Sequence, residues 1–103
     1  MLSHDVFFTL KDPSPASQKR LIDACKKYLR QHPGVVAFSV GTLEPELARP
    51  VNDRDFHVAL HVAFKDRASH DLYQKAATHV QFATEHKEMW SKVRVFDSVC
   101  ETM

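Results

Sequence analysis

Residues 4–11 alternate strictly: His4, Val6, Phe8 and Leu10 fall on one side, Asp5, Phe7, Thr9 and Lys11 on the other. Alternation among β-branched and aromatic side chains predicts a half-buried strand. Asp12-Pro13-Ser14-Pro15 stops it and opens a helix, with Ser14 as N-cap and Pro15 at the first helical position. From there to about Gln31 the apolar period lengthens. Leu21, Ile22, Cys25, Tyr28 and Leu29 recur at three and four residues, the stripe of a surface helix. Lys19, Arg20, Lys26, Lys27 and Arg30 form its solvated side, and His32-Pro33-Gly34 ends it.

Residues 35–41 predict a second strand, followed by a polar, proline-bearing loop over 44–54. That loop is too long for a tight hairpin, which marks it as a flanking or functional segment. A third strand is predicted over 56–64. Phe56, Val58, Leu60, Val62 and Phe64 make its apolar face, and His57, Ala59, His61 and Ala63 the opposite one. Residues 67–90 read as helical in two pieces, with Leu72, Tyr73 and Ala76 on the first buried stripe and His79, Phe82, Ala83 and His86 on the second. Trp90 is expected to anchor the end of the last helix. Residues 92–99 form a final strand with Val93, Val95, Asp97 and Val99 turned inward.

The order β-α-β-β-α-β predicts an α+β fold, a ferredoxin-like subunit with a four-stranded antiparallel sheet and both helices on one face. The other face would carry Phe7, Thr9, His57, Ala59, His61, Ala63, Arg94, Phe96 and Cys100. Such a mixture is too apolar to stay wet and too polar for a monomer core. Packing against a second copy satisfies it, which predicts a homodimer through the open sheet face, a dimeric α+β barrel.

Length and charge narrow the function classes. A chain of 103 residues is expected to form one domain over 1–103. With 14 basic and 13 acidic residues the net charge is +1, without the basic stripe a nucleic-acid binder needs. No run of about 18 apolar residues is present, so no membrane span is expected. The start, Met1-Leu2-Ser3-His4-Asp5, lacks a basic n-region, and a cytoplasmic protein with two free thiols is expected. Cys25 sits on the helical stripe, the setting of an inert core thiol, and Cys100 near the terminus. Gly34 and Gly41 are the only glycines, so a glycine-rich phosphate loop is excluded and no cofactor is expected.

Seven histidines are the compositional oddity. His57 and His61 have a spacing that pairs imidazoles on a helix, but on a strand it separates their backbones by roughly 13 Å. One ion cannot easily take both, so no metal site is expected there. His4 lies on the helix-facing side of the first strand, and Tyr73 and His79 straddle the break in the second helical region. If those pieces pack on the sheet, three groups able to hold or move protons line one cavity. Histidine can act as general base or acid near neutral pH, and a tyrosine hydroxyl can polarise a carbonyl. Asp97, inward by alternation, is placed to pair with a histidine or a backbone group.

Taken together, the pieces resemble the stress-responsive A/B barrel (Dabb) family over nearly the whole chain. The resemblance rests on residues 4–12, on His32-Pro33-Gly34-Val35, and on Phe64-Lys65-Asp66-Arg67-Ala68. It continues through Leu72-Tyr73, His79-Val80-Gln81-Phe82, Trp90 and Val93-Arg94-Val95-Phe96-Asp97-Ser98. It implies a dimeric α+β barrel and a small protein of undefined biochemical activity, with a small aromatic or polyketide-like ligand between sheet and helices. It also implies an alternative, a polyketide cyclase-like enzyme doing aldol-type proton transfer. By similarity His79 would then be the catalytic base, Tyr73 would hold a carbonyl oxygen, and His4 would orient the substrate. One departure stands out. Relatives carry a His-Pro pair shortly before the His79 position, where this chain has Ala76-Ala77. Without proline the helix is expected to run further.

Overall fold

The alternation at the start of the chain becomes the central strand of the sheet. The computed structural model describes residues 1–102. In β1 (Leu2–Leu10) every even-numbered residue is buried and every odd one from Ser3 to Thr9 half-buried. α1 (Pro15–Leu29) begins as expected: the Ser14 side chain accepts from the Ser17 amide at 3.2 Å and Pro15 opens the first turn. Leu21, Cys25 and Leu29 on its stripe are fully enclosed.

β2 (Val35–Thr42), β3 (Val58–Phe64), α2 (Arg67–Lys75), α3 (Ala77–His86), a 3-10 turn (Lys87–Met89) and β4 (Trp90–Val99) complete the chain. The sheet order is β2-β3-β1-β4, antiparallel throughout. This is the ferredoxin-like arrangement. The core lies between the sheet and the helices: Phe8, Leu10, Leu60, Val62 and Phe64 are each at most 4% exposed. Burying side chains of this size contributes about 1.5–3 kcal/mol each.

His32-Pro33-Gly34 turns the chain from α1 into β2. Gly34 has φ +86°, and a Cβ there would sit 2.0 Å from Ser69 Oγ. Only glycine suits both the left-handed backbone and the close approach of α2.

Several expectations are corrected. α2 and α3 are the two helical pieces expected, and they stay separate although no proline divides them: Ala76 is extended (φ −62°, ψ 141°), and its carbonyl accepts from the Val80 amide to start α3. The expected longer helix therefore does not form. Leu72, placed on the buried stripe, is 65% exposed, while Tyr73 beside it is enclosed. Phe56 precedes β3 instead of opening it and packs on the opposite face against Phe7, at a centroid distance of 5.0 Å. His57 is not free on that face. Its Nδ1 accepts from the Leu10 amide at 2.9 Å, tying the start of β3 to the end of β1. Trp90 is different: it opens β4 and packs between Phe8 of β1 and Phe82 of α3, where it anchors the last helix against the sheet as expected.

The open sheet face carries a cluster of rings, with Phe7 touching Phe56, Phe96 and His61 edge-on. The loop ahead of β3 lies partly over it. Arg94 binds Asp53 at 2.8 Å, Lys92 pairs with Asp55, and Thr9 Oγ1 donates to the Asp55 carbonyl. Phe96 remains 53% exposed. Among the described residues no helix is long and apolar enough to cross a membrane.

Candidate functional site

The inner face of β4 is not roofed by the helices: Val93 and Val95 are 37% and 50% exposed although they point to the helical side. Between this strand, β1 and the α2–α3 pair lies a cavity of about 350 Å³, open at one side. Val6, Phe8, Phe82, Val93 and Val95 give it apolar walls. His4, His70, Tyr73, Gln74, His79 and Asp97 give it one polar end. A volume of this order suits a small aromatic compound.

Each polar group is placed by an identifiable element. His4 is on β1 directly opposite Asp97 on β4, and its Nδ1 lies 2.5 Å from Asp97 Oδ1. A carboxylate only accepts, so Nδ1 carries a proton, and in the neutral ring Nε2 keeps its lone pair. Gln74 Nε2 lies 3.5 Å from that Nε2, within donating reach. His4 is 5% exposed, more enclosed than the strand-end boundary position its sequence suggests, because β1 begins at Leu2.

Tyr73 packs edge-on against His79 (4.8 Å between centroids), His32 (5.0 Å), Phe64 (5.0 Å) and His4 (5.9 Å). Burial, with the Cys25 thiol second, pushes its hydroxyl well above the ordinary tyrosine value. The hydroxyl is therefore always protonated near neutrality, and it has no hydrogen-bond partner among the described residues. His79 is half-buried beside it. Desolvation first, then the neighbouring His4, His32 and His70, hold its imidazole below the ordinary histidine value, so the neutral ring prevails at pH 7. Its reach to Tyr73 depends on the break at Ala76, which restarts the helix at Ala77.

His4, Tyr73 and His79 are thus brought to one cavity, and Asp97 joins them as the partner of His4. His57 and His61 are kept apart: His61 Nδ1 binds Asp5 Oδ1 at 2.7 Å on the open face, and His57 serves the β1 backbone. Cys25 is enclosed in the core, where burial pushes its thiol up to about 12, as an inert group requires. Sequence reading missed His70 and Gln74. The available signal was spacing: three residues before Tyr73 and four before Gln74, His70 shares their helical face. His70 Nδ1 binds Asp71 Oδ1 at 3.0 Å, and Arg67 Nε donates to the same oxygen at 2.9 Å. His4, His70 and Asp97 offer donor atoms within 4.8 Å of one another, the one group of metal-ligating side chains of this kind among the described residues.

Comparison with known proteins locates the frame. No curated protein matches the chain. Among solved structures, a Dabb-family protein with a ferredoxin-like fold from Mesorhizobium loti is 27% identical with a TM-score of 0.80, over 98% of this chain and 97% of that one. A dimeric ferredoxin-like protein of unknown function from Thermobifida fusca is 17% identical (TM-score 0.79, 96% and 90% covered). A hydroxynitrile lyase from Passiflora edulis is 23% identical (TM-score 0.76, 99% and 95% covered). The family model described as the stress responsive A/B barrel domain matches residues 2–100, and the chain belongs to that family, the Dabb domain proteins.

Proposed function

We propose that this protein binds a small, mostly apolar, carbonyl-bearing aromatic or polyketide-like compound in the cavity between sheet and helices and moves a proton on it. The observation that carries the reading is the cavity of about 350 Å³ whose apolar walls end on Tyr73, His79 and the His4–Asp97 pair. The neutral His79 imidazole takes a proton from the carbon next to the carbonyl. The C–H electron pair becomes an enolate, and the Tyr73 hydroxyl donates a hydrogen bond to its oxygen. His4, held by Asp97, orients the bound compound. Attack of the enolate carbon on a second carbonyl of the same molecule closes a ring, and the alkoxide so formed takes the proton from His79, which regenerates the base. The likeness to a hydroxynitrile lyase supports this frame as one that can serve an enzyme.

The functional unit is a homodimer through the open sheet face. The exposed Phe96, the ring cluster around Phe7 and the dimeric description of the Thermobifida fusca protein support it.

Proton transfer is tested by deuterium exchange at the α-carbon of small aryl ketones in D₂O, followed by NMR with EDTA present. The wild type is expected to accelerate exchange, and His79→Gln to lose the acceleration. Exchange no faster than in buffer for every ketone, or undiminished in His79→Gln, overturns the chemistry.

A further inference from the structure

We propose that His4, His70 and Asp97 form a binding site for one zinc-class divalent cation at the polar end of the cavity. This goes beyond the proton-transfer reading and does not depend on it.

Three elements supply the donors. His4 and Asp97 face each other across the β1–β4 ladder, and α2 sets His70 over them, with the two imidazole centroids 5.1 Å apart. The donor atoms lie within 4.8 Å of one another. Ligands bonded at about 2.0–2.1 Å around a tetrahedral ion stand roughly 3.3 Å apart. The set therefore needs only side-chain adjustment: His4 Nδ1 and Asp97 Oδ1 move apart from 2.5 Å as the ion takes Nδ1, and the ring proton shifts to Nε2, where the Gln74 amide turns its oxygen to accept it. Asp97 has room to do so, with its side chain 45% exposed.

Donor chemistry points to the class of ion. Two imidazoles and one carboxylate suit zinc and its first-row neighbours and are poor for magnesium or calcium, which want oxygen donors. The surroundings resemble those of ligating histidines elsewhere. His70 has its Nδ1 on Asp71, itself held by Arg67, which fixes the ring and leaves Nε2 for a metal. All three donor residues line the cavity, and three protein ligands leave a fourth position for water or substrate, as in catalytic zinc sites.

Untagged, EDTA-stripped protein is titrated with Zn²⁺ by calorimetry and with Co²⁺ by visible absorption, without any organic compound. One ion per chain is expected, with the intense visible bands of four-coordinate cobalt. His70→Gln and Asp97→Asn are each expected to weaken binding about tenfold or more. His61→Gln, on the open face, is expected to leave it unchanged. Circular dichroism checks the fold of each variant. If a variant does not fold, wild-type NMR decides: Zn²⁺ should shift the His4 and His70 ring signals before those of His57 and His61. No saturable binding, undiminished affinity in both His70→Gln and Asp97→Asn, or first shifts at His61 overturns the proposal. Failure here leaves the ketone exchange in EDTA untouched, and failure of that exchange leaves this titration untouched.

Discussion

Gly34→Ala is a sharp test of how the chain holds α2, the helix that carries His70 and Tyr73. Three effects add. A side chain at φ +86° costs about 1–2 kcal/mol. The new Cβ would lie 2.0 Å from Ser69 Oγ and 2.3 Å from Ser69 Cβ. Ser69 must therefore move, although its amide and hydroxyl bind Asp66 Oδ1 at 2.8 and 2.7 Å as the N-cap contact of α2. Losing such a cap costs about 1 kcal/mol. Against this, alanine reduces the freedom of the unfolded chain, an offset of about 0.4–1 kcal/mol. The net loss is about 2 kcal/mol, and for a chain of this size Tm should fall by roughly 8–16 °C. Thermal unfolding followed by circular dichroism measures it. Gly41→Ala is the control: a Cβ there meets nothing within 4 Å, and Tm should change by a few degrees at most. A Gly34→Ala protein that melts with the wild type would refute the packing of α2 on the His-Pro-Gly turn.

Tyr73→Phe should cost under about 0.5 kcal/mol, since the hydroxyl has no protein partner, whereas Tyr73→Ala should cost about 3–5 kcal/mol, read by urea unfolding. With its imidazole held down by burial, His79 should titrate below 6.5 by ring-proton NMR. The unfolded chain then takes up that proton first, so the His79 contribution to stability is intact above about pH 6.5 and declines as pH drops below it. Tm should therefore fall less between pH 7 and 5 in His79→Gln than in the wild type, and an equal fall would contradict the assignment. Phe96→Asp places a charge on the open face and should convert a dimer to monomer in sedimentation velocity.

Much of this architecture was legible in the order of residues. The alternation of residues 4–11 placed His4 on the helical side, and that of residues 92–99 turned Asp97 inward. Both follow from the period of two, which is insensitive to context. That they are directly opposite depends on register between β1 and β4, which no local pattern encodes. The division into two helices was expected, but its sharpness at Ala76, without a proline, was hidden for a related reason. Alanine is the best helix former, so local propensity argues for continuation there, and tertiary packing decides otherwise. Phe56 and Leu72 were misplaced because an apolar residue at the end of a periodic run extends the run by habit. In fact Phe56 pairs with Phe7 on the other face, and Leu72 points to solvent. His70 carried a weak signal, a helical spacing from Tyr73, and became informative only once β1 and β4 were beneath it.

If the cavity over β4 is a binding site, a bound compound must change the surroundings of the histidines that line it. Histidine ring-proton NMR of metal-free protein, titrated with a panel of small phenolic ketones and polyketide-like compounds, tests it most directly. At least one compound should shift the His4 and His79 signals together and saturably, leave His57 and His61 in place, and lose this effect in His79→Ala. Ring signals that no compound moves, or that move equally on the open face, would contradict it.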